Sequence, residues 1–361
     1  MAKQEKQTKI ALVGYKLAEG GQERVFSTVS GLLHDANFEV HVIVLEDAIE
    51  YPYFGTLKNL GNYSKFQKYL QLKKYLKINQ FDYIIDFRYR INPLMELLFL
   101  HYIYLGFKSI YTIHSSKLNL YFTKNSAVAR QIFTKVHSIV SVSVAMNEKI
   151  KQDYDFANGV VISNSILKKP VVLDVENKQL PFKYCIAVGR LVALKQFDKL
   201  MEAYCQTDLY KNEIHLVILG DGEEKERLQN QIENTGLSAY IHLLGFKENT
   251  FNFLENAEFL VLSSQYEGFP MAILEALHAG TPVISFDCET GPAEMIRNEF
   301  NGLLVENQNF EALKTAMNKL IRDKELYNFC KHNAKESTVA FSEDNIQRKW
   351  LDLLNFKNQL K

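Results

Sequence analysis

Short apolar runs alternate with helical stretches along most of the chain. In order, the runs are Ile10–Val13, Val40–Val44, Tyr83–Asp86, Ser109–Ile113, Ile139–Val142, Val160–Ile162, Tyr184–Val188, Ile214–Leu219, Ile241–Leu244, Phe259–Leu262, Val283–Phe286 and Gly302–Val305. Helical spacing is clearest over Gln22–Leu33, Asp198–Cys205, Glu223–Asn234, Met271–Ala279 and Phe310–Ile321. Strands that alternate with helices form parallel sheets covered on both faces. The pattern predicts an α/β protein with doubly wound parallel sheets.

The length of 361 residues is sufficient for two domains of ordinary size. The stretch Asn164–Pro181, which contains Pro170, Pro181 and several charged residues, joins the two sets of strands. We therefore predict a first domain over residues 1–168, a second over residues 169–341, and a C-terminal helix over residues 342–361 that returns to the first domain. The apolar positions of that helix are Ile346, Trp350, Leu353, Leu354 and Phe356.

Charge is balanced over the whole chain but divided unevenly along it. Lys and Arg total 42, as do Asp and Glu. Residues 1–170 carry 22 basic and 14 acidic side chains, whereas residues 171–361 carry 20 and 28. Overall neutrality gives no argument for nucleic acid as a partner, and the opposite signs predict different partners for the two domains. The four cysteines lie far apart without a Cys-x-x-Cys pair, so no zinc site is indicated.

The stretch Ser263–Ala276 combines two carboxylates with a turn and the start of a helix. Gly268 permits a turn after a strand, and Pro270 suits the first helical position because it lacks an N–H group. Glu267 is then expected in a loop at the carboxyl end of a strand, and Glu275 in the helix that follows. Ligands of doubly wound sheets bind at the carboxyl ends of strands.

The start of this helix is suited to a phosphate group. The N–H groups of Phe269, Met271 and Ala272 precede the helical hydrogen bonds, and a helix N-terminus carries about half a positive charge. Glu267 can accept hydrogen bonds from sugar hydroxyls, and Glu275 can bridge ribose hydroxyls. A ligand with a sugar, a diphosphate and a ribose would satisfy all three. Spacing alone also permits two solvated glutamates beside an ordinary strand–loop–helix unit.

These residues resemble the Glu-x7-Glu signature of the family 4 retaining glycosyltransferases, which have the GT-B fold. The signature runs from Glu267 to Glu275, and the segments Gly291–Glu294 and Asn301–Val305 also fit that family. The combination is similar to the amylovoran-type branch, whose members build bacterial surface polysaccharides. The resemblance covers nearly the whole chain. It implies two Rossmann-like domains that face a central cleft.

The resemblance assigns two cations and a histidine. Arg190 and Lys195 resemble the residues that clamp the donor diphosphate, and two fixed cations would also stabilise charge on the leaving group. The alternative is that Arg190 and Lys195 are ordinary surface charges after a strand and bind no diphosphate. The family has a glycine where this chain has Gln196, which predicts a stiffer loop. His114, at the end of a predicted strand, resembles the active-site histidine that faces the donor sugar.

Glycines and one aromatic residue complete the donor site that the resemblance implies. Gly20 and Gly21 resemble the glycine loop after the first strand, where a missing Cβ lets the backbone approach sugar and phosphate. Gly222 resembles the turn beneath the nucleotide, and Phe246 lies in the segment that meets the base. The predicted catalytic residues are Arg190, Lys195, Glu267 and His114, and the predicted donor-binding residues are Gly20, Gly21, Gly222, Phe246, Gly268, Phe269, Pro270, Met271, Ala272 and Glu275.

No metal or other cofactor is expected beside the nucleotide-sugar co-substrate, for which a UDP-linked sugar is the first expectation. Asp153-Tyr154-Asp155 matches the Asp-x-Asp pattern with which other glycosyltransferases hold a divalent ion. It precedes residues typical of a surface turn. Arg190, Lys195 and a helix terminus would already neutralise the diphosphate.

The resemblance implies a retaining hexosyltransferase, with galactose as the first expected sugar, acting on a lipid-linked saccharide in capsule, exopolysaccharide or lipopolysaccharide biosynthesis. A sugar-nucleotide epimerase or hydrolase on the same fold, and a non-catalytic sugar-nucleotide-binding partner, are the alternatives. A nicotinamide dehydrogenase is disfavoured because no Gly-x-Gly-x-x-Gly follows the first strand.

A basic segment gives the first domain a second candidate partner. Between Glu50 and Asp82 there is no acidic residue but six lysines, and Lys58–Lys77 interleaves them with aromatic and aliphatic residues. The segment predicts a basic helix with one apolar side, which can lie on anionic lipid or pack on its own domain. The apolar run Met95–Tyr104 is too short to span a bilayer. We expect a cytoplasmic enzyme, peripheral on the inner face of the membrane if this segment binds lipid.

Overall fold

The structure, a computed structural model, describes residues 7–18, 20–123, 125–154, 156, 158–166, 180–247 and 249–355. Glu19, Asp155, Phe356 and most of the predicted linker Asn164–Pro181 lie outside the described residues. The chain divides into two compact units. One comprises the described residues up to Ser165 together with those from Glu343, and the other extends from Ile166 to Ser342.

The first unit is built on a seven-stranded parallel sheet of order β3-β2-β1-β4-β5-β6-β7. The strands are β1 (Lys9–Gly14), β2 (Glu39–Val44), β3 (Thr56–Asn59), β4 (Tyr83–Asp86), β5 (Lys108–Ile113), β6 (Ser138–Ser141) and β7 (Gly159–Val161). Chain order reverses between β1 and β4, which is the switch point where doubly wound sheets bind ligands. The sequence did not predict β3, because this half-exposed edge strand lacks an apolar run.

Helices cover both faces of that sheet. They are α1 (Gly21–Asp35), α2 (Lys65–Asn79), α3 (Pro93–Leu98), α4 (Ser126–Lys135) and α5 (Val144–Tyr154), and a π-helical turn (Phe99–Ile103) continues α3. The prediction that α2 has a single apolar side is wrong. Leu72 and Leu76 are buried against the unit, whereas Phe66, Leu70 and Ile78 are exposed. Helix α2 therefore has apolar residues on an inner and an outer face.

The second unit has a six-stranded parallel sheet of order β10-β9-β8-β11-β12-β13. The strands are β8 (Lys183–Val188), β9 (Ile214–Leu219), β10 (Ile241–Leu243), β11 (Leu260–Leu262), β12 (Val283–Asp287) and β13 (Gly302–Glu306). The helices are α6 (Phe197–Cys205), α7 (Lys225–Asn234), α8 (Phe251–Glu255), α9 (Met271–His278), α10 (Pro292–Met295), α11 (Phe310–Arg322) and α12 (Lys324–Ala334). Its order reverses between β8 and β11, and the loops after these two strands carry the Lys195 and Glu267 regions.

The C-terminal helix α13 (Glu343–Asn355) packs on the first unit. Ile346, Trp350 and Leu354 follow one another at four-residue intervals and are buried in the core of that unit. The hydroxyl of Tyr83 donates a hydrogen bond to the Leu354 carbonyl at 2.7 Å. The first unit therefore contains both an N-terminal and a C-terminal part of the chain.

Candidate active site

Lys195 and Glu267 form an ion pair at the carboxyl edge of the second sheet. Lys195 Nζ lies 2.6 Å from Glu267 Oε1, and the side chains are only 18% and 11% exposed. Lys195 ends a 3-10 turn after β8, and Glu267 lies in the loop after β11. These strands are neighbours in the sheet although the two residues are far apart in the chain. The fold thus brings two of the predicted catalytic side chains together.

The loop that carries Lys195 is held from several sides. The Ser263 hydroxyl donates to the Lys195 carbonyl at 2.8 Å, and the Gln265 N–H donates to the Leu194 carbonyl at 3.0 Å. A Cβ at Gly189 would lie 3.3 Å from Lys195 Cε, so the glycine leaves room for the lysine stem. The ammonium group is therefore positioned by the backbone of both loops.

The backbone conformation at Gln196, directly after Lys195, is one that glycine adopts most easily. Gln196 has a φ of +51°, in the left-handed region, and is buried. A non-glycine residue in that conformation costs about 1–2 kcal/mol. With its amide oxygen facing Lys199 Nζ at 3.1 Å and its nitrogen facing the Ser263 carbonyl at 3.0 Å, the Gln196 side chain offsets part of that cost.

Arg190 is exposed on the same rim, two residues after the end of β8. Within the described ranges its guanidinium makes no ion pair, which leaves its donors to solvent or ligand. The glycines of the Gly220-Asp221-Gly222 turn pack directly beneath this loop. A Cβ at Gly220 would lie 1.8 Å from the Gly189 carbonyl oxygen, and one at Gly222 would lie 2.4 Å from the Leu191 carbonyl oxygen. The turn therefore supports the Arg190 loop by close backbone contact.

The loop Glu267–Pro270 approaches the α10 region so closely that only glycine fits there. Gly291 has a φ of +98°, and a Cβ on it would lie 2.7 Å from Pro270 Cδ and 2.8 Å from the Gly268 carbonyl oxygen. The Thr290 hydroxyl also donates to the Glu267 carbonyl. The Gly291-Pro292 pair of the sequence thus shapes the loop that carries Glu267.

Helix α9 begins at Met271, so the prediction that Pro270 occupies the first helical position is wrong by one residue. Pro270 instead caps the helix with extended backbone, and its carbonyl accepts the Ile273 N–H at 3.1 Å. The N–H groups of Met271 and Ala272 precede this first hydrogen bond and are not part of the helical ladder. The side chain of Phe269 is buried, where its ring packs against Phe341 with centroids 5.5 Å apart.

Glu275 and Phe246 lie on the elements that surround this helix. Glu275 is half-buried in α9, and its Oε2 accepts a hydrogen bond of 3.4 Å from the Thr250 hydroxyl. Phe246 follows the turn at Gly245, whose carbonyl accepts the Gly220 N–H at 2.9 Å. Its ring is 65% exposed and presents an aromatic face to solvent. Both residues are thus accessible to a ligand.

In the first unit, Gly20, Gly21 and His114 converge on the carboxyl edge of the sheet. Gly20 caps α1, and a Cβ there would meet the Glu23 carboxylate at 1.9 Å, whereas Gly21 faces open space. From the first turn of α1, the Gln22 amide donates to the Phe87 carbonyl. Phe87 stacks on the His114 ring with centroids 5.5 Å apart. A short chain of contacts therefore links the glycines to the histidine.

His114 is a neutral imidazole at ordinary pH. Burial, reinforced by the nearby Arg90 guanidinium, lowers its pKa from 6.5 to about 3. In the part of the chain that the structure describes, neither ring nitrogen has a hydrogen-bond partner, although both are shielded from solvent. The ring can therefore donate one hydrogen bond and accept one, but it is a weak base.

Two family models match the chain, one for each unit. The model described as Glycosyl transferases group 1 matches residues 172–337. The model described as Glycosyltransferase Family 4 matches residues 19–166. The chain belongs to glycosyltransferase family 4. The family predicted from the Glu267–Glu275 signature is thereby confirmed.

Two curated bacterial relatives illustrate the range of similarity. The amylovoran biosynthesis glycosyltransferase AmsD of Erwinia amylovora is 32% identical over 170 residues, which is 47% of this chain and 47% of AmsD. The N-acetylgalactosamine-N,N'-diacetylbacillosaminyl-diphospho-undecaprenol 4-alpha-N-acetylgalactosaminyltransferase of Campylobacter jejuni is 28% identical over 96% of this chain and 99% of its own length. The aligned part of this family 4 chain spans about half or less of AmsD and of several other curated relatives.

A solved structure confirms the fold. HepE of Anabaena, crystallised with UDP, matches with a TM-score of 0.79 at 17% identity, over 97% of this chain and 100% of HepE. Together with the two parallel sheets, this likeness confirms the predicted GT-B architecture of two Rossmann-like domains. At such low identity the likeness concerns the fold alone.

A buried charged cluster at the end of β4 was not predicted from the sequence. Arg88 Nη2 lies 2.7 Å from Asp86 Oδ2 and 3.4 Å from Glu96 Oε1, and all three side chains are buried. Arg90 is buried too, but it donates to the carbonyls of Arg88 at 2.9 Å and Thr112 at 3.0 Å instead of to a carboxylate. The run Asp86-Phe87-Arg88-Tyr89-Arg90 directly after an apolar strand was the available signal.

The two arginines line a pocket of about 240 Å³ in the first unit. Tyr15, Tyr69 and Tyr89 contribute aromatic walls, and burial raises the pKa of the Tyr15 hydroxyl. Arg90 lies over the Tyr111 ring at 4.3 Å and lacks a partner for its Nε among the described residues. The pocket, which Glu96 also lines, offers ring faces together with guanidinium donors, a combination suited to a saccharide.

Among the described residues, no group of three or more His, Cys, Asp and Glu side chains is placed to hold a metal ion. Asp155, one of the two carboxylates in the Asp-x-Asp sequence, is outside those residues. The described helices include none with the length and apolar character that crossing a membrane requires.

Proposed function

We propose that this protein transfers a hexosyl residue from a UDP-sugar to a lipid-linked saccharide, with retention at the anomeric carbon, in surface polysaccharide biosynthesis. The observation that carries the proposal is the Lys195–Glu267 pair beside the exposed Arg190 and the open N-terminus of α9. Cations for a diphosphate and a carboxylate for sugar hydroxyls thereby share one edge of the sheet. Galactose is the sugar we propose first.

The names of similar proteins support the choice of substrates. The Campylobacter relative acts on a diphospho-undecaprenol-linked saccharide, AmsD takes part in amylovoran biosynthesis, and HepE was crystallised with UDP. On this chain, Glu267 would hold sugar hydroxyls, Glu275 the ribose, and Arg190 with Lys195 the diphosphate. The N–H groups of Met271 and Ala272 would complete the diphosphate site. Four such donors neutralise a diphosphate without a metal ion.

The chemical step places negative charge on the departing UDP. The bond from the anomeric carbon to the diphosphate oxygen breaks, and the acceptor oxygen bonds to that carbon on the same face. Arg190 and Lys195 stabilise the developing charge. In the mechanism that the family resemblance implies, the departing phosphate oxygen takes the acceptor proton, which balances the step without a further cofactor.

The first unit is the proposed acceptor side. Its pocket, which Tyr15 and Tyr89 line, combines rings with the Arg90 guanidinium, which makes no ion pair at contact distance among the described residues. Glu96 attracts this guanidinium electrostatically, but Arg90 Nε has no hydrogen-bond partner among the described residues, and an anionic oxygen would satisfy it. The phosphate of a lipid-linked saccharide has that charge, and its sugar has hydroxyls and ring faces for the tyrosines.

Thermal unfolding with UDP, GDP, ADP and NAD, in EDTA, tests the donor side without the unknown acceptor. Occupancy at about 100 times Kd stabilises a protein by roughly 2.7 kcal/mol, which raises Tm by a degree or more. We expect a shift with UDP that Glu275→Ala removes and Glu325→Ala, an exposed control on α12, retains. No shift with any nucleotide, or an equal shift in both variants, would contradict the proposal.

Product analysis then separates transfer from the other reactions of this fold. Incubation with UDP-galactose should consume the donor only when a lipid-linked saccharide is present. Donor cleavage at the same rate without acceptor would identify a hydrolase, and an epimerised donor an epimerase. UDP binding without any conversion would favour a non-catalytic partner.

A further inference from the structure

The first unit exposes several large apolar side chains in one stretch of sequence. Phe66 is 83% exposed and Leu94 is 77% exposed, so most of each side chain is in contact with solvent. The other exposed members between Phe66 and Leu105 are Leu70, Ile78, Ile91, Leu98, Tyr102 and Leu105. They lie on or beside α2, α3 and the π-helical turn. Clustered exposed apolar residues indicate an interaction surface.

Two helical stripes build this surface. On α2, Phe66, Leu70 and Lys73 follow one another at spacings of four and three residues, so they share the outer face. On α3 and the π-helical turn, Leu94 and Leu98 follow at a spacing of four and form the second stripe. The inner residues of both elements, such as Leu72 and Phe99, are buried in the unit.

The two stripes meet in a single surface. Lys73 Nζ lies 2.9 Å from the centroid of the Tyr102 ring, which joins the outer face of α2 to the π-helical turn. Below them, the rings of Tyr69 and Phe99 pack edge to face with centroids 5.5 Å apart. We name this surface the α2–α3 face. It comprises Phe66, Leu70, Lys73, Leu94, Leu98 and Tyr102.

Charge identifies the kind of partner that fits this face. Helix α2 carries five lysines and no acidic residue, and the chain has none from Tyr51 to Phe81. The one acidic residue of α3 and the π-helical turn is Glu96, which is buried against Arg88. Lys74 and Lys77 are exposed beside the apolar side chains. Apolar residues flanked on α2 by lysines match the acyl boundary and the phosphates of an anionic bilayer.

We propose that the α2–α3 face docks this protein on an anionic lipid bilayer. Phe66, Leu70, Leu94 and Leu98 enter the headgroup region, and the exposed Lys74 and Lys77 of α2 contact lipid phosphates. The proposal deepens the proposed function, since a lipid-linked acceptor must be reached at a membrane. Tyr69, from α2, and residues around α3 also line the arginine pocket. Docking through this face therefore brings that pocket to the bilayer surface.

Co-sedimentation of the full chain with vesicles tests the proposal. Wild type should partition at least ten-fold more into phosphatidylcholine vesicles containing phosphatidylglycerol than into phosphatidylcholine alone. Leu94→Glu combined with Leu98→Glu should weaken binding at least ten-fold, and Lys74→Glu combined with Lys77→Glu should weaken it similarly. The matched control is Phe329→Glu, which changes an exposed aromatic residue of the second unit and should bind as wild type does.

Each result has a distinct meaning. Wild type that stays in the supernatant with anionic vesicles, or face variants that bind as well as wild type, would overturn the proposal. A face variant that changes a dimer into a monomer, in a protein without vesicle binding, would instead assign the face to a second copy. The UDP-induced rise in Tm should survive in every face variant. If UDP never raises Tm but vesicles bind through the face, the donor proposal fails and this one stands.

Discussion

At the scale of single residues, Arg190 and Lys195 are predicted to share a ligand but differ in their surroundings. Arg190 is exposed, whereas Lys195 is paired with the largely buried carboxylate of Glu267. Both cations could be predicted from the sequence, because both lie shortly after the end of an apolar strand. It could not show the pair, which exists only because β8 and β11 are neighbours.

Replacing either cation with alanine should lower kcat/KM for the UDP-sugar by about 10²–10³-fold, the loss typical of one charge-stabilising donor. Lys195→Ala should also destabilise the protein by about 1–3 kcal/mol, because it leaves the Glu267 carboxylate buried without a partner. Arg190→Ala should leave the free energy of unfolding unchanged. Steady-state kinetics and urea unfolding measure both effects. Unchanged turnover in both variants would refute their catalytic role.

His114 should make stability depend on pH in a defined direction. Its folded pKa of about 3 lies below its ordinary value of 6.5, so between these values the unfolded chain binds a proton that the folded chain does not. The free energy of unfolding should therefore fall as pH is lowered from about 6.5 towards 3. His114→Phe, which keeps a ring against Phe87, should flatten that slope in urea unfolding at a series of pH values. An unchanged slope would contradict the buried neutral ring.

At the scale of elements, helix and strand positions were accessible from sequence where a face is buried. The apolar runs located strands such as β4 and β9 at their observed bounds. The edge strand β3 was missed because exposed strands need no apolar run. Helix α2 was predicted to have one apolar side, whereas its apolar residues lie on two faces. The sequence does not show which of these residues the core covers. The exposed stripe became visible only with the packing of Leu72 and Leu76.

The loop before α9 gives a prediction at the same scale. Gly291→Ala should lower the free energy of unfolding by about 1–3 kcal/mol and weaken UDP binding, because its Cβ would push against Pro270 and the Gly268 carbonyl. Gly280→Ala is the matched control. Its φ is +83°, but no atom lies within 4 Å of an added Cβ. This control should cost only about 1 kcal/mol of backbone strain and leave UDP binding intact. Equal losses of UDP affinity would exclude a specific role for the Gly291 contact.

At the scale of the whole molecule, the first unit depends on the last helix of the chain. Trp350 is buried in its core together with Ile346 and Leu354. Trp350→Ala should therefore lower the free energy of unfolding of that unit by about 3–5 kcal/mol. Lys349→Ala, at an exposed neighbouring position, should change it by less than about 0.5 kcal/mol. Calorimetry measures both, and an unchanged Trp350→Ala transition would show that α13 contributes little to the unit.

The sequence by itself determined the two parallel sheets through local apolar periodicity, and the family through the resemblance of Glu267–Glu275 and the segments after it to a known signature. It also supplied the residue types of the proposed donor edge. Tertiary structure decided the rest. It paired Lys195 with Glu267, placed Gly291 against the Pro270 loop, and left the α2–α3 face exposed. These features depend on which strands are adjacent and which helix face is covered. Both follow from the packing of segments far apart in the chain, which no local pattern encodes.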